Sequence, residues 1–409
     1  MLEKTEERRE TDMSNKKRNL VLVVIEGLFA NLLFGSLFVW TMLRNPLLEL
    51  FPTWNEGMLS VIFGIHNLFI CVGIMLGGLL CRKLPTRKVF CIFLTLAVIG
   101  LAGFALLPVA KPTLSYWMAF TLFCIFAAFG VGIGINVTQS TTIPWFPKNS
   151  GAISGALYMA LGVSSVIMAA IAQRIMPVIG VKYILPVFAG LILIVGVLIL
   201  CDRKSITAPV KEAATGKELE GIPPKEMLRS AAFWVLVLWN ICLRTCGLTL
   251  LDHAASMASA FGGLALTAML IAPANGLGSL SVGVAMDRLG TRKIMFYDAI
   301  LMIIAAVLLC TGVRSARYIL IFIGLVIGGF SYGGSSSSYA ASVKNRFGAK
   351  FYTQNFAFSN LAVGIAALLE STSGSILDVT GGYLMVMLMV LGLAAIAFIL
   401  SLFTKKAKL

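Results

Sequence analysis

The chain of 409 residues is 58% hydrophobic and only 12% charged, and its mean hydropathy is +0.92. Soluble globular chains carry about 25% charged residues, so this composition excludes an ordinary soluble domain. The net charge of +15 would suit nucleic-acid binding, but the basic residues are spread over short segments between apolar runs. We therefore expect no nucleic-acid partner.

Apolar runs of about twenty residues recur along the whole chain, and each matches the ~20 residues that carry an α-helix across ~30 Å of hydrocarbon. Because lipid offers the backbone no hydrogen bonds, such runs predict helices and not strands. The predicted fold is an all-α membrane protein with twelve transmembrane helices embedded in the lipid bilayer. The predicted spans are 19–42, 57–80, 88–109, 114–138, 150–173, 183–201, 231–254, 264–286, 291–312, 318–341, 353–375 and 381–403.

One polar stretch near the middle divides these spans into six and six. It holds Pro209, Pro223 and Pro224 among several basic residues, which is typical of a linker. The predicted organisation is an N-terminal tail 1–18, a first half 19–201, a linker 202–230, a second half 231–403 and a C-terminal tail 404–409.

The basic residues also predict the orientation of the chain. If the N-terminus is cytoplasmic, most of the 33 Lys and Arg residues fall in the tails, the linker and the turns on the same side. Cytoplasmic loops of membrane proteins carry such an excess. We therefore expect a multi-pass protein of the plasma (inner) membrane with both termini in the cytoplasm.

No pattern for metal, nucleotide or catalysis is found in the sequence. The eight cysteines lie within or at the ends of apolar runs, without metal-ligand spacing to the two histidines. A GxxxxGK[ST] loop for ATP is absent from the sequence, and no polar segment is long enough for a catalytic domain. We expect neither an enzyme nor a bound metal or cofactor.

The two halves repeat one turn. Residues 78–88 read GLLCRKLPTRK and residues 283–293 read GVAMDRLGTRK, each between the second and third spans of its half. Parallel six-helix repeats place a substrate site between the halves near the middle of the membrane. Rocking of one half against the other then alternates access to that site.

The second copy of this turn resembles the G-x-x-x-D-R-x-G-R-K loop of the major facilitator superfamily. The resemblance implies that Asp287 and Arg292 tie helix ends together and hold one gated state. The first copy departs from the pattern, with Arg82 at the Asp position and Pro85 at the Gly position. The alternative for both copies is a solvated basic turn.

Further motifs follow in order along the chain: GVGIG at 130–134 with Asn136, WFP at 145–147, GAISG at 151–155, EMLR at 226–229, GGS at 333–335 and NF at 355–356. Together they resemble the oxalate/formate antiporter family over most of the chain, and the resemblance implies transport of small mono- or dicarboxylates. That family's oxalate carriers hold their dianion with an Arg in helix eight and a Lys in helix eleven. The corresponding positions here read Ser279 and Val363, so we expect a monocarboxylate and not oxalate.

An ionisable residue inside a predicted span costs ~2.5–3.5 kcal/mol and usually faces a cavity or a partner, and four such residues are singled out as candidates. Arg244 is the predicted substrate ligand, because a guanidinium fits a carboxylate in a bidentate fashion; the alternative is a structural ion pair with Glu370. Glu26 and Glu370 are the predicted proton carriers, although Glu26 could equally be an acid partnered near the inner interface. His66 could bind substrate or relay protons, and the alternative is a hydrogen bond between helices.

Neutral polar residues complete the predicted site. In the superfamily, helices one, four, seven and ten usually face the cavity, which favours Asn31, Asn136, Asn240 and Tyr332. The predicted function is secondary active transport of a small organic anion, coupled to protons or to anion exchange, by a protein that works as a monomer. The alternative is proton-coupled efflux of a cationic or amphipathic compound, which Glu26 and Glu370 would neutralise.

Overall fold

The computed structural model describes residues 23–32, 34, 40–146, 148–201, 221–263 and 270–403. The two predicted tails and most of the predicted linker lie outside these residues. The described residues are almost all helical, and they contain no strand apart from an isolated bridge between Gly221 and Gly348. The predicted all-α class is confirmed.

The first half begins with short helices and continues with long ones. The carbonyl of the Asn55 side chain accepts a hydrogen bond from the Met58 amide at 2.9 Å, which caps the first long helix at its N-terminus. A π-helix at Phe120–Ala127 joins two α-helices of the fourth predicted span. The helices are α1 Val23–Leu32, α2 Trp40–Leu50, α3 Glu56–Lys83, α4 Thr86–Ala102, α5 Pro112–Ala119, α6 Ala128–Thr142, α7 Ser150–Ile179 and α8 Ile184–Cys201.

The second half follows a short helix at the end of the linker. Ser230 caps its first long helix by accepting a hydrogen bond from the Phe233 amide at 3.2 Å. The helices are α9 Pro224–Arg229, α10 Ala231–Ala260, α11 Ile271–Leu289, α12 Thr291–Arg314, α13 Tyr318–Phe347, α14 Tyr352–Ser359, α15 Leu361–Glu370, α16 Thr372–Thr380 and α17 Tyr383–Leu402.

The eleventh predicted span, 353–375, is continuous in the sequence pattern but is divided in the structure into α14, α15 and α16. At the first break, the Asn360 side-chain amide donates to the Phe356 carbonyl at 2.7 Å. Such a bond competes with the backbone ladder and interrupts a helix. The predicted span is present as one membrane-spanning segment, Tyr352–Leu377, with breaks in its helix.

Nine segments of the described residues are long and apolar enough to cross a membrane. They correspond to nine of the twelve predicted spans. The other three predicted spans are represented by α1 with α2, by α7 and by α11. The helix α11 lies where the halves meet, and Asn275, Ser279, Asp287 and Arg288 lower its mean hydropathy.

Each half has its own hydrophobic core. One cluster of buried side chains runs from Ala30 to Ile199 and stays within the first half. The second runs mainly from Met227 to Ala397 and takes in a few residues of the first half, among them Leu157 and Tyr158 of α7. The second cluster therefore reaches across the boundary at α7.

The halves contact each other where α7 packs on α11 and α13, and where α14 and α15 pack on α3, with α14 also touching α6. Glycines allow the pairing of α7 with α11 to be very close. A Cβ on Gly151 would overlap the Gly283 carbonyl oxygen, and one on Gly155 would overlap that of Ser279. Small residues let helix backbones approach in this way in membranes.

Candidate substrate site between the two halves

Arg244 lies in the middle of α10, and its side chain is buried, with 8% of the residue exposed. Its Cζ atom lies 5.7 Å from the centroid of the Tyr332 ring on α13, within the range of a cation–π contact. Its Nε has no hydrogen-bond acceptor among the described residues. The guanidinium is therefore buried with donor capacity to spare.

Tyrosines from both halves surround this guanidinium. Its electrostatic partners are the phenols of Tyr332 and Tyr339 on α13 and of Tyr158 on α7. The Cys71 side chain of α3 also interacts with it. Since α3 and α7 belong to the first half, Arg244 lies at the boundary between the halves, as a central substrate ligand requires.

No ion pair joins Arg244 to Glu370 within the parts of the chain that the structure describes. Glu370 ends α15, is half-buried, and interacts electrostatically with Asp252 near the end of α10. Asp252 lies 3.9 Å from His253, whose Nε2 is 2.8 Å from the Ser373 hydroxyl. Glu370 thus belongs to a polar cluster at the end of the bundle away from the linker, which we call the opposite end.

Three predicted asparagines are buried, and each has unused hydrogen-bonding capacity toward the described residues. Asn240 lies one turn before Arg244 on α10, and neither its Oδ1 nor its Nδ2 has a partner there. Asn136 on α6 donates to the Thr353 carbonyl of α14 at 3.3 Å, a bond between the halves, while its Oδ1 has no partner. Asn31 donates to the Gly27 carbonyl of its own helix, α1, at 2.8 Å and leaves its Oδ1 unused.

His66 lies away from this site, inside the first half. Its ring stacks on Phe123 with centroids 4.1 Å apart, and its Nδ1 is 3.0 Å from the Phe123 backbone oxygen. The structure thus contains the bond between helices that was the alternative for this residue, and it does not bring His66 to Arg244.

Glu26 is half-buried on α1 and makes an interaction of its own. A Cβ on its neighbour Gly27 would lie 2.9 Å from the Thr142 hydroxyl at the end of α6. Glu26 is therefore near the end of the bundle that carries the linker, which we call the linker end.

Asp287 joins the halves at the linker end. Its Oδ1 accepts from the Gly151 amide and its Oδ2 from the Ala152 amide, both at 2.7 Å. These are the free amides at the N-terminus of α7, where a carboxylate is favoured by unpaired donors and by the helix dipole. Arg292, the other predicted gating residue, is exposed and has no hydrogen bond or ion pair to a described residue.

Further bonds between the halves support this contact at the linker end. The Ser150 hydroxyl donates to Asn345 Oδ1 at 3.0 Å, and the Ser154 hydroxyl donates to the Ser337 carbonyl at 2.8 Å. The described residues of α7 and α13 are thus held together at this end.

Sequence reasoning missed two residues that the structure makes prominent. Tyr339, which follows four consecutive serines, is an electrostatic partner of Arg244. Asp298 was also missed, although a carboxylate well inside the predicted span 291–312 was a sufficient signal.

Comparison with known proteins identifies the family. The sequence model described as "Major Facilitator Superfamily" matches residues 23–257. The chain is 21% identical over 372 residues to the uncharacterized MFS-type transporter YhjX of Escherichia coli, covering 87% of each chain. It is 26% identical over 314 residues to the oxalate:formate antiporter of Oxalobacter formigenes, covering 74% of this chain and 72% of that protein.

Solved structures show the same fold. The proton:xylose symporter XylE superposes with a TM-score of 0.77 at 13% identity, over 96% of this chain and 97% of that one. A bacterial homologue of the iron transporter ferroportin superposes with a TM-score of 0.69 at 15% identity, over 93% and 98%. This chain is a multi-pass membrane transporter and belongs to the major facilitator superfamily.

Proposed function

We propose that the protein is a secondary active transporter of a small organic anion, most simply a monocarboxylate, and that Arg244 binds the anion. The observation that carries the proposal is a buried guanidinium at the boundary of the halves with no acid beside it among the described residues. Burying a cation without a counter-charge costs several kcal/mol. A carboxylate bound in the site would supply the missing charge and would accept two parallel N–H bonds.

The surroundings of Arg244 favour one negative charge over two. Its electrostatic partners are neutral phenols, and the two positions that would hold a second cation read Ser279 and Val363. Tyrosine hydroxyls can donate to the anion as well as accept from the guanidinium. A monoanion therefore fits the charge of this site better than oxalate does.

Transport follows from the position of the site. An anion held between α10 and α13 on one side and α7 on the other changes the contacts between the halves, and alternating access requires such a change. The bonds of Asp287 close the linker end in this conformation, so exchange with that side requires them to break. We place the linker and both termini in the cytoplasm of a cell whose plasma (inner) membrane holds the protein as a monomer.

For coupling, we propose that Glu26 and Glu370 exchange protons with the two aqueous sides. Glu26 lies toward the linker end, and Glu370 lies in the cluster at the opposite end with Asp252 and His253. Neither acid is paired with Arg244 among the described residues. Efflux of a cation is less consistent with this arrangement, because Arg244 would repel the substrate.

Uptake into proteoliposomes tests the proposal. The purified full-length chain is offered labelled formate, acetate, lactate, pyruvate and a lipophilic cation, with and without a pH gradient. We expect saturable uptake of at least one monocarboxylate. Arg244→Ala removes the buried charged partner of the anion, which costs about 2–5 kcal/mol of binding free energy. It should therefore lower uptake efficiency by at least about thirtyfold.

The matched control is Arg314→Ala, at the exposed end of α12, which should transport like the native chain. Carboxylate uptake that survives Arg244→Ala unchanged would remove the ligand assignment. Uptake of the cation alone would show that the protein is a cation transporter and not an anion carrier.

A further inference from the structure

Asp298 is a buried acid on α12 that the proposed site does not use. Only 2% of the residue is exposed. The Ser331 hydroxyl of α13 lies 2.8 Å from its Oδ1 and 3.1 Å from its backbone oxygen, and donates to both. Its Oδ2 has no hydrogen-bond partner among the described residues.

The surroundings of this carboxyl carry no balancing charge. The helix α12 packs on α13 and α17 and touches α11 and α10, and α17 contains no Asp, Glu, Lys, Arg or His. None of the ionisable groups on these helices interacts electrostatically with Asp298; its one polar side-chain partner is Ser331. Those groups are Arg244, Asp252, His253, Cys242 and Cys246 on α10, Asp287 and Arg288 on α11, Tyr318, Tyr332, Tyr339, Lys344 and Arg346 on α13, and Tyr383 on α17.

A carboxylate at this place would be a buried charge without a counter-ion, which costs several kcal/mol. Binding a proton removes the charge and with it most of that cost. The indole N–H of Trp239 on α10 does not serve Asp298, because it donates to the Met295 carbonyl oxygen at 3.2 Å, one turn before Asp298 on α12. The site therefore suits an acid that takes up a proton and releases it when its surroundings change.

We propose that Asp298 is a further proton-binding site, in addition to the exchange at Glu26 and Glu370, and that it couples proton movement to transport, an inference that rests on the transport function proposed above. The neutral acid carries an O–H donor that needs an acceptor, whereas the carboxylate only accepts. The protonation state of Asp298 therefore determines whether its carboxyl group can donate as well as accept hydrogen bonds. A change in its hydrogen bond with Ser331 would change the favoured position of α13.

The helix α13 connects this proton site to the substrate site. Ser331 and Tyr332 are consecutive, so their side chains point about 100° apart around the helix. One contacts Asp298 and the other lies beside Arg244. A movement of α13 in response to proton binding at Asp298 therefore also moves the Tyr332 ring beside Arg244.

The same movement reaches the contact between the halves. A Cβ on Gly333 of α13 would overlap the Asn275 carbonyl oxygen of α11, so the two backbones are in direct contact and must move together. The helix α11 ends with the segment that carries Asp287, which holds the N-terminus of α7. Proton binding at Asp298 thus has a packed route to the linker-end contact.

Asp298→Asn tests the proposal, because it keeps the shape and an acceptor for Ser331 but cannot titrate. Native chain and variant are compared in proteoliposomes with labelled formate, acetate, lactate and pyruvate. With one proton per anion, a gradient of one pH unit drives about tenfold accumulation. We expect Asp298→Asn to lose this accumulation but keep exchange counterflow at equal pH within about threefold, a difference below ~0.7 kcal/mol.

Two controls accompany this variant. Asp298→Glu keeps a titratable acid and should restore part of the accumulation. Glu49→Gln neutralises an exposed acid at the end of α2 and should behave like the native chain. Accumulation retained by Asp298→Asn would overturn the proposal, as would loss of counterflow together with accumulation in a folded variant, which would indicate a structural role.

Infrared difference spectroscopy during a pH titration gives a readout that needs no substrate. The native chain should show the carbonyl stretch of a protonated carboxylic acid that Asp298→Asn lacks. If Asp298→Asn does not fold, Ser331→Ala replaces it, because loss of the hydrogen bond should shift the same band. If no infrared band depends on Asp298 or Ser331, the proton site is overturned. If the band is present but none of the four carboxylates is taken up, the proton site stands and the anion proposal is refuted.

Discussion

At the scale of single residues, Asp287 shows how one carboxylate can hold the two halves together. Both of its oxygens accept backbone amides from the first turn of α7 at 2.7 Å. Those amides have no partner within their own helix. The contact is therefore charge-assisted, specific in geometry, and reversible when α11 moves away.

We predict that Asp287→Asn opens the linker end. The variant loses the negative charge that the N-terminus of α7 favours and one of the two acceptor oxygens, which together contribute about 1.5–3 kcal/mol. The population of the closed conformation should therefore fall by at least about tenfold relative to the open ones. The measurement is the spin–spin distance between labels on cysteines introduced at Lys148 and Lys293, with the natural cysteines replaced.

Arg292→Gln is the matched control for this experiment. Arg292 lies in the same turn but has no hydrogen bond or ion pair to a described residue, so its removal should leave the distance distribution unchanged. If the spin–spin distance lengthened in Arg292→Gln but stayed unchanged in Asp287→Asn, the roles assigned to the two residues would be reversed.

What the sequence reveals about individual residues depends on how unusual they are in their surroundings. Arg244 is a single cation in an apolar span, and its placement between the halves could be anticipated. Tyr339 could not be singled out, because a tyrosine in a membrane helix has many uses and only the fold brings it to Arg244. A role for Asp287 in tying helix ends together was expected from the resemblance, but its partners could not be named, since they are backbone amides that any sequence supplies.

At the scale of helices, the pairing of α7 with α11 depends on residues that lack side chains. A Cβ on Gly155 would overlap the Ser279 carbonyl oxygen, whereas one on Gly162, two turns later, would lie 3.6 Å from the nearest atoms, in Gly276. The helices are thus in backbone contact toward the linker end and further apart toward the opposite end.

We predict opposite outcomes for alanine at these two glycines. Gly155→Ala forces the backbones apart, and such overpacking costs about 1–3 kcal/mol. Gly162→Ala makes ordinary contacts and restricts the unfolded chain, which should stabilise the helix by roughly 0.5–1 kcal/mol. The thermal unfolding midpoint of the purified chain checks both, and equal shifts for the two variants would show that the close approach is not maintained.

The helices themselves were well predicted where apolar runs are uninterrupted, because length and hydropathy are properties of the sequence. Their irregularities were not. The π-helix at Phe120–Ala127 and the break at Asn360 arise from packing and from one side-chain bond, and neither changes the average hydropathy of its span. The break at Asn360 nevertheless lies near the site, since the Cys71 thiol, which interacts with Arg244, donates to the Asn360 carbonyl.

At the scale of the whole molecule, the described bonds between the halves concentrate at the linker end. They include those of Asp287, the Ser150–Asn345 bond at 3.0 Å and the Ser154–Ser337 bond at 2.8 Å. Arg244 lies further along the bundle, in the middle of α10. A transporter that alternates access must break these bonds once in every cycle.

We predict that a covalent bond at this place stops transport but not binding. Ser150 and Asn345 lie on different halves with their side chains in contact, so cysteines at both positions should form a disulfide on oxidation. The locked chain should bind the transported carboxylate with the affinity of the reduced form, because Arg244 and its tyrosines are unaffected, while its turnover should vanish and return with reductant. Each single cysteine serves as the control, and binding is measured on the purified protein. Full turnover with the disulfide in place would show that the halves do not separate here, and loss of binding together with turnover would show that the anion reaches Arg244 only through the linker end.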